Sequence, residues 1–350
     1  MVSNLANQFA KEGDQVIVAT EWIGQNEFVL DEPVRRVIVG PEGEEEQKGR
    51  IAKAILRITK LRKFVKTEKP DVLIAFDYKA SYRALAACKG VKCPVIVSVR
   101  TDPVGHYDGA KDKVLIPLLY PRANGCVFQT VGQKEFFPEY LQRRSRVILN
   151  PLNRKYEGVR QVAEPEKTVV QHGRLVDFKN QAMLIRAFAK VHAQHPDYDL
   201  KIYGPDSFDG TKELLEKTIA ELDAAPYVTL MGGSDSLDQQ IPQCAVYAFS
   251  SDWEGLPNAL IEAMCMGMPC VATDCPCGGP RTIMEHEVSG LMIGVGDEKA
   301  LADGICRLIE DPELAKRLGE NAAKLVERVK DTAITGQWRD YIKQVIGEYR

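Results

Sequence analysis

The chain has 350 residues, of which 45% are hydrophobic and 27% charged, so it is long and apolar enough to form two globular domains of ordinary size. No apolar run is long enough to cross a bilayer, no secretory signal is recognisable after Met1, and the nine cysteines lack the spacing of a disulfide scaffold. The composition argues against membrane-spanning and disulfide-stabilised classes and favours a cytoplasmic enzyme with reduced thiols.

Charge is distributed unevenly along the chain. Residues 1–150 contain 24 Lys and Arg against 18 Asp and Glu, whereas residues 151–350 contain 22 against 31. Arg62, Lys63 and Lys66 cluster in the first half. A basic amino-terminal domain could bind an anionic membrane surface or a lipid diphosphate, and a solvated helix face would carry the same charges. No nucleic-acid motif accompanies them, so no nucleic-acid partner is expected.

Hydrophobic periodicity predicts alternating helices and strands in the first 150 residues. The predicted helices are 2–9, 51–65, 79–88 and 114–120, and the predicted strands are 16–19, 34–39, 72–76, 94–99, 125–129 and 147–150. In the helix at 51–65 the apolar positions are Ile51, Ile55, Ile58, Leu61 and Val65. This alternation is typical of an α/β domain with a parallel sheet.

Polar residues follow the predicted strand 94–99 at its carboxyl end, where α/β sheets bind their ligands. Arg100 is suited to hold a phosphate or a carboxylate, and Asp102 could orient an acceptor hydroxyl or take its proton. His106 lies close by in the sequence. The alternative is a salt-bridged turn that Pro103 closes.

A second α/β pattern follows a polar, irregular segment at 151–165, which we interpret as a linker. The predicted strands are 168–171, 200–203, 228–231, 246–250 and 269–273, and the predicted helices are 212–222, 259–266, 298–309, 312–318, 320–329 and 337–346. Trp338 is large enough to anchor the last helix.

The loop after the strand at 168–171 reads HGRLVDFKN and carries two cations close to a predicted helix start. Asp177 is the expected N-cap of that helix. A pyrophosphate near Arg174 and Lys179 would gain from both cations and from the helix amides. The alternative is a pair of exposed cations without a ligand.

The most informative stretch is 246–274, which predicts a strand, a loop, a helix and a second strand in succession. The loop ends at Gly255, and Pro257 is expected at the first helical position, where its missing N–H costs nothing. Gly267 is expected to end the helix.

Two carboxylates stand on either side of this helix start. Glu254 precedes the helix and Glu262 lies about one turn inside it. Because the free amides between them bind anions, one carboxylate could meet a sugar hydroxyl beyond a bound phosphate and the other a ribose behind it. The alternative is that both are ordinary surface acids.

Four cysteines fall in or just after this stretch, at positions 265, 270, 275 and 277. They run from a helix through a strand into a loop and lack the paired Cys-x-x-Cys spacing of structural zinc sites. We therefore expect no metal there.

The segment EGLPNALIE, from Glu254 to Glu262, resembles the Glu-x7-Glu motif of the family-4 retaining glycosyltransferases. The GRL and KN groups between 173 and 180, and Gln129-Thr130 ahead of FFP, are similar to further motifs of that family in the same order. The resemblance covers nearly the whole chain and implies an α/β fold of the GT-B class, with two Rossmann-like domains facing a central cleft. The implied parts are an acceptor-side domain at 1–150, a linker at 151–165, a donor-binding domain at 166–332 and a helix at 333–350 that crosses back to the first domain.

The resemblance also implies roles for individual residues. Arg174 and Lys179 match the cations that bind the donor diphosphate in the family. Glu262 would hold the donor ribose, and Glu254 the hydroxyl groups of the transferred sugar. Further donor-binding positions are Gly255, Asn258 and Ala259.

By the same resemblance, the expected catalytic residues are Glu254, Arg100 and Asp102, the last two on the acceptor side. Many family members have a histidine in that region, and His106 is near it without matching its position. His172 replaces a small apolar residue that is common before the GRL motif.

The implied activity is transfer of a hexose or N-acetylhexosamine from a nucleotide sugar, with a UDP-sugar favoured, to a glycan or lipid-diphosphate-linked acceptor. The configuration would be retained by front-face attack, with the departing phosphate helping to take the acceptor proton. No metal or other cofactor is expected. The expected setting is bacterial polysaccharide or glycoconjugate synthesis, in the cytoplasm or on the inner face of the plasma membrane.

In the family, the helix that matches 2–9 follows a first strand and a glycine-rich loop. This chain begins within that helix, so we expect an amino-terminal sheet that lacks its central first strand and has an open seam. A misplaced start or a truncated chain is the expectation, and a genuine short form is the alternative.

Two other functions remain open. A chain without the first strand could bind a nucleotide sugar without transferring it. A Rossmann-type oxidoreductase would also fit two α/β domains, but it needs a Gly-x-Gly-x-x-Gly turn after a strand, which this sequence lacks.

Overall fold

The computed structural model of the protein describes residues 1–24, 29–158, 160, 162 and 164–349. The chain forms two compact units, of which the first comprises Met1–Pro151 and Asp331–Arg350 and the second Leu152–Lys330. Positions 159, 161 and 163 of the predicted linker, and position 350 of the predicted terminal helix, lie outside the described residues.

Within the described residues, the first unit forms a two-stranded parallel sheet, β1-β2, and a four-stranded parallel sheet, β3-β4-β5-β6. The strands are β1 (Ile17–Thr20), β2 (Arg35–Ile38), β3 (Leu73–Phe76), β4 (Val95–Ser98), β5 (Gly125–Phe128) and β6 (Ser145–Val147). The predicted strand at 147–150 was wrong in its position. Strand β6 ends at Val147, and the Asn150 side-chain oxygen beyond it accepts a hydrogen bond from Arg100.

The helices of this unit that precede Pro151 are α1 (Val2–Lys11), α2 (Arg50–Glu68), α3 (Tyr78–Ala87), α4 (Ala110–Leu119), α5 (Val131–Phe136) and α6 (Glu139–Arg143). The face predicted for α2 is only partly buried. Leu61 and Val65 pack in the core, whereas Ile51 is 79% exposed and Ile55 56%. The packed part of α2 begins only at Ile58.

The second unit contains a six-stranded sheet in which every pair of neighbours is parallel. Its strands are β7 (Glu166–His172), β8 (Asp199–Tyr203), β9 (Val228–Gly232), β10 (Cys244–Phe249), β11 (Cys270–Thr273) and β12 (Leu291–Ile293). They lie in the order β12-β11-β10-β7-β8-β9. The chain therefore runs outward from β7 to β9 and then returns to the other side of β7, so the order reverses between β7 and β10.

The helices of the second unit are α7 (Gln181–Gln194), α8 (Thr211–Glu221), α9 (Leu237–Gln240), α10 (Asn258–Cys265), α11 (Gly279–Ile283), α12 (Glu298–Glu310), α13 (Pro312–Ala323) and α14 (Val326–Val329). The predicted break in α13 between 318 and 320 was wrong. Gly319 lies within the helix and does not end it. A Cβ atom at this position would overlap the carbonyl oxygen of Gly267, so the glycine allows the helix to approach that residue closely.

The last helix, α15 (Asp331–Tyr349), belongs to the first unit. Trp338 is fully buried, with its ring 5.8 Å from the Phe76 ring and 5.5 Å from the guanidinium carbon of Arg100. The Tyr341 hydroxyl donates a hydrogen bond to the carbonyl of Arg144. Trp338 thus anchors the helix, as its size predicted. With this helix included, the described parts of the chain contain no helix long and apolar enough to span a bilayer.

Replacing Trp338 with Ala should destabilise the first unit by about 3–5 kcal/mol, because it removes a fully buried indole and leaves a cavity. Urea unfolding followed by circular dichroism measures the change. Trp22→Ala is the matched control, because the Trp22 side chain is 66% exposed, and it should change the free energy of unfolding by less than about 0.5 kcal/mol. Equal losses for the two variants would contradict this role of Trp338.

Candidate functional site

The candidate site lies at the carboxyl ends of β7 and β10, the paired strands between which the sheet order reverses. Ligands of open α/β sheets bind at such a reversal. β7 ends at His172 and β10 at Phe249, and both ends are buried. The loops that follow them, 173–180 and 250–257, therefore start from fixed points and carry most of the residues that the sequence indicates.

The loop after β7 begins with a close contact between two backbone segments. Gly173 has a φ of +142°, a conformation that favours glycine. A Cβ atom at Gly204 would overlap the Gly173 carbonyl oxygen, so the end of β8 approaches only because Gly204 lacks a side chain. Arg174 follows with an exposed side chain that forms no hydrogen bond or ion pair within the described part of the chain.

Asn180, rather than Asp177, caps helix α7. Its φ of +46° is left-handed, and its side-chain oxygen accepts a hydrogen bond from the Met183 amide at 3.2 Å. The prediction for Asp177 was wrong, because this residue begins a 3-10 turn that ends at Lys179. The sequence did contain an indication, since Asn is favoured both in the left-handed region and at N-caps.

Side chains and backbone clasp the two loops together. The Asn180 side-chain amide donates to Asp252 at 2.8 Å, and the Asp252 backbone amide donates to the Phe178 carbonyl at 2.8 Å. The rings of Phe178 and Trp253 stack with centroids 4.0 Å apart. Sequence reasoning missed these contacts because their partners lie more than seventy positions apart.

Lys179 and Glu254 form an ion pair between the loops. Their side chains are only 12% and 14% exposed, so each charge is largely removed from water and depends on the other. The Lys179 ammonium also lies 5.6 Å from the centre of the Phe249 ring, and the Ser251 hydroxyl donates to Glu254 at 3.3 Å. The Lys179 ammonium has three N–H donors, and only one of them is needed for Glu254.

Helix α10 begins directly after this ion pair. Pro257 is its N-cap, with an extended ψ of 103°, so the expectation that Pro257 would be the first helical residue was wrong. Proline offers no side-chain cap, and the first amides of the helix, at Asn258 and Ala259, have no acceptor within the helix. A Cβ atom at Gly279 would overlap the carbonyl oxygen of Gly255, so α11 packs directly against the same loop.

Two of the clustered cysteines hold the loop that carries Glu254. The Cys277 thiol donates to the Glu254 carbonyl at 2.6 Å, and the Cys275 thiol donates to the Ser251 carbonyl at 3.4 Å. Burial raises the pKa of the Cys275 thiol to about 12, which keeps it neutral and able to donate. Among the residues that the structure describes, no group of three or more His, Cys, Asp or Glu is arranged to hold a metal ion.

Glu262 meets the end of β7. Its Oε2 lies 2.8 Å from Nε2 of His172, the last residue of that strand. His172 is 5% exposed and the Glu262 side chain 21%. Sequence reasoning gave His172 no role, because its partner lies 90 positions further along the chain.

Arg100 and Asp102 belong to the first unit, where they follow β4. Arg100 donates to the Asn150 side-chain oxygen at 3.0 Å, and its guanidinium lies 5.3 Å from the Phe76 ring centre and 5.5 Å from that of Trp338. Its Nε and Nη2 are buried without a hydrogen-bond partner among the described residues. Burial lowers the pKa of this guanidinium, because nothing close by fully compensates the charge.

Asp102 closes the turn that follows Arg100. It is 2% exposed, and its Oδ1 accepts a hydrogen bond from the Val104 amide at 2.9 Å. Burial raises the pKa of this carboxyl group. His106 lies edge-on to Tyr78, with the ring centroids 6.4 Å apart.

The structure thus gathers the predicted donor-side residues in the second unit and assigns Arg100 and Asp102 to the first. It pairs Lys179 with Glu254 and Glu262 with His172. The ligand-binding and catalytic roles of all these residues stay predictions.

Known proteins resemble the chain along most of its length. A family model described as Glycosyltransferase Family 4 matches residues 1–156, and one described as Glycosyl transferases group 1 matches residues 153–325. The GalNAc-alpha-(1->4)-GalNAc-alpha-(1->3)-diNAcBac-PP-undecaprenol alpha-1,4-N-acetyl-D-galactosaminyltransferase of Campylobacter jejuni is 25% identical over 343 residues, covering 97% of this chain and 93% of its own. The N-acetylgalactosamine-N,N'-diacetylbacillosaminyl-diphospho-undecaprenol 4-alpha-N-acetylgalactosaminyltransferase of the same organism is 27% identical over 292 residues, covering 79% and 76%.

Solved structures resemble the fold. HepE from Anabaena in complex with UDP has a TM-score of 0.82 at 19% identity, covering 98% of this chain and 95% of its own. Sucrose-phosphate synthase from Thermosynechococcus elongatus has a TM-score of 0.84 at 18% identity, covering 99% and 93%. The predicted GT-B class with two Rossmann-like domains is confirmed.

Replacing Asn180 with Ala should lower the free energy of unfolding by about 1–2 kcal/mol, because it removes the cap of α7 and places a Cβ-bearing residue without a polar side chain in the left-handed region. Urea titration measures the loss. Asn180→Gly is the control, because glycine tolerates this conformation, and it should cost clearly less. Equal losses for Ala and Gly would show that the left-handed backbone conformation contributes nothing, and no loss in either variant would show that the cap does not matter.

Proposed function

The chain belongs to the family 4 glycosyltransferases, and from this premise we propose that it transfers a sugar from a UDP-sugar to a glycan or to a saccharide carried on a lipid diphosphate. The names of two relatives support the acceptor, because both describe N-acetylgalactosaminyltransferases of undecaprenol-linked saccharides. The complex of HepE with UDP supports the nucleotide. We further propose that the transferred group is a hexose or an N-acetylhexosamine.

The Lys179–Glu254 ion pair beside the start of α10 is the observation that carries this proposal. A nucleoside diphosphate would bring two phosphates to Lys179 and to the exposed Arg174. The backbone at Gly255, Asn258 and Ala259 would complete the anion site. Glu254, released from Lys179, would then accept hydrogen bonds from hydroxyl groups of the donor sugar.

In the proposed reaction, the bond between the sugar C1 and the diphosphate oxygen breaks. The acceptor oxygen forms a new bond to C1 on the same face, and its proton passes to the departing phosphate oxygen. Arg174, Lys179 and the helix amides would stabilise the negative charge that develops on the leaving group. We therefore propose retention of configuration without a metal cofactor.

On the acceptor side, we propose roles for Arg100 and Asp102. Arg100 is partly exposed after β4, and its guanidinium would hold an anionic group of the acceptor. Asp102 uses one carboxylate oxygen to close its turn, so its other oxygen would orient an acceptor hydroxyl.

Glu254→Gln should slow transfer roughly 10²-fold while the variant still binds UDP, because the proposed role of the carboxylate is to accept hydrogen bonds from the sugar. Release of UDP from UDP-sugars in the presence of a lipid-diphosphate-linked saccharide measures turnover, and calorimetry measures UDP binding. Glu313→Gln, at an exposed position on α13, is the control. Unchanged turnover in Glu254→Gln would contradict the assignment.

The same assay tests the rest of the proposal. NMR of the product should show the anomeric configuration of the donor, and an inverted product would overturn retention. UDP binding without transfer to any acceptor would instead favour a nucleotide-sugar-binding role. Binding of GDP in preference to UDP would overturn the proposed donor class.

We also propose that the protein works in the cytoplasm as a peripheral protein on the anionic inner face of the membrane, through helix α2. Ile51 and Ile55 are exposed one helical turn apart, and Lys63 and Lys66 are exposed on the same helix. This combination of apolar and basic side chains suits the interface of a membrane. Arg62 does not contribute, because it donates hydrogen bonds to carbonyl groups at the end of α3.

Lys63→Glu combined with Lys66→Glu should weaken binding to vesicles that contain phosphatidylglycerol by at least roughly tenfold, since each lysine near such a surface contributes about 1 kcal/mol. Co-sedimentation measures the bound fraction, with neutral phosphatidylcholine vesicles alongside. The control reverses the charges of Lys217 and Lys316, which are exposed in the second unit. If both double variants lose vesicle binding equally, the lysines of α2 do not form a specific membrane-binding surface, and the proposal is contradicted.

A further inference from the structure

We propose that His172 is a positioning residue: it holds Glu262 in the orientation that accepts a hydrogen bond from the ribose of the donor, and so makes the site selective for ribonucleotides. This inference rests on the proposed function and deepens it. It concerns the histidine that ends β7.

The position of the His172 ring is fixed by its surroundings. It is the last residue of β7 and is 5% exposed. The ring of Tyr247, on the neighbouring strand β10, meets it edge to face with centroids 5.5 Å apart. The Tyr247 hydroxyl lies 3.5 Å from the His172 carbonyl oxygen, so the same fully buried tyrosine contacts both the ring and the backbone.

The hydrogen bonding of the ring identifies its donor atom. Nε2 lies 2.8 Å from Oε2 of Glu262, whereas Nδ1 is buried and has no partner among the described residues. A proton on Nδ1 would be a buried donor left unsatisfied. Nε2 therefore carries a proton and donates to the carboxylate, because an unprotonated Nε2 would place a second acceptor against Oε2.

This bond leaves Glu262 with one oxygen fixed and one available. Oε1 makes no hydrogen bond within the described part of the chain, and the side chain is 21% exposed, so it can be reached from solvent. A glutamate on an isolated helix surface samples several rotamers and would lose that freedom on binding. His172 removes the freedom in advance, which preorganises the carboxylate for a pair of ribose hydroxyls.

A small apolar residue at 172 could not do this, because it has no donor to reach Oε2. Phenylalanine would keep the ring volume against Tyr247 and lose the donor. Glutamine carries an amide nitrogen at about the position of Nε2, and asparagine carries the same group one methylene shorter. These three substitutions separate packing, hydrogen bonding and reach at one position.

The test measures the Kd of the full chain for UDP and for 2′,3′-dideoxy-UDP by calorimetry. His172→Phe should weaken UDP binding about tenfold, or about 1.4 kcal/mol, while binding of the dideoxy ligand changes less than about twofold. His172→Gln should keep most of the UDP affinity, and His172→Asn should lose it. In a Glu262→Ala background, His172→Phe should have no further effect, because the histidine acts through the carboxylate.

His192→Phe is the control, because this partly buried histidine of the same unit stacks on Tyr227 away from β7 and should leave both affinities unchanged. Equal losses for UDP and the dideoxy ligand in His172→Phe would indicate a packing role and overturn the inference. If that variant does not fold, equal UDP affinity of the Gln and Asn variants overturns it. A wild-type chain that binds both ligands equally overturns the inference alone, whereas one that binds neither overturns the proposed function.

Discussion

Lys179 and Glu254 are each about one-eighth exposed, and neither charge would be stable at that depth without the other. Their pairing explains why the loops 173–180 and 250–257 are held together by further contacts. The loop after β7 must bring its ammonium group to the loop after β10, and the contacts of Asn180 with Asp252 and of Phe178 with Trp253 hold the two segments at that distance. A site of this kind is organised before any ligand arrives, because its own charges fix its geometry.

Close backbone contacts supply the rest of the rigidity. Gly204 packs against the carbonyl oxygen of Gly173, and Gly279 packs against that of Gly255, at distances that a Cβ atom would not allow. The Cys277 thiol donates a hydrogen bond to the carbonyl of Glu254. Cys275 and Cys277 contribute to this packing as hydrogen-bond donors.

Local periodicity predicted most of the fold, because parallel strands and packed helices leave strong patterns in the chain. It failed where tertiary contacts decide: Ile51 and Ile55 have the spacing of a core face, yet the core begins only at Ile58. At the site, the sequence identified the charged residues through their motifs but not their partners. The bond between His172 and Glu262 joins residues 90 positions apart and depends on the order of β7 and β10 in the sheet, which no local pattern contains.

The ion pair also links recognition of the donor diphosphate, at Lys179, to recognition of the donor sugar, at Glu254. On the proposed function, a diphosphate that binds Lys179 competes with Glu254 for the ammonium group, and the partly buried carboxylate then needs further hydrogen-bond donors. Sugar hydroxyls supply them, whereas a nucleotide without its sugar leaves the carboxylate with the Ser251 hydroxyl. The intact donor therefore replaces more of the interaction that Glu254 loses with Lys179 than the nucleoside diphosphate product does. Breaking the bond at C1 removes this advantage, so the same pair that organises the site would also favour release of the product.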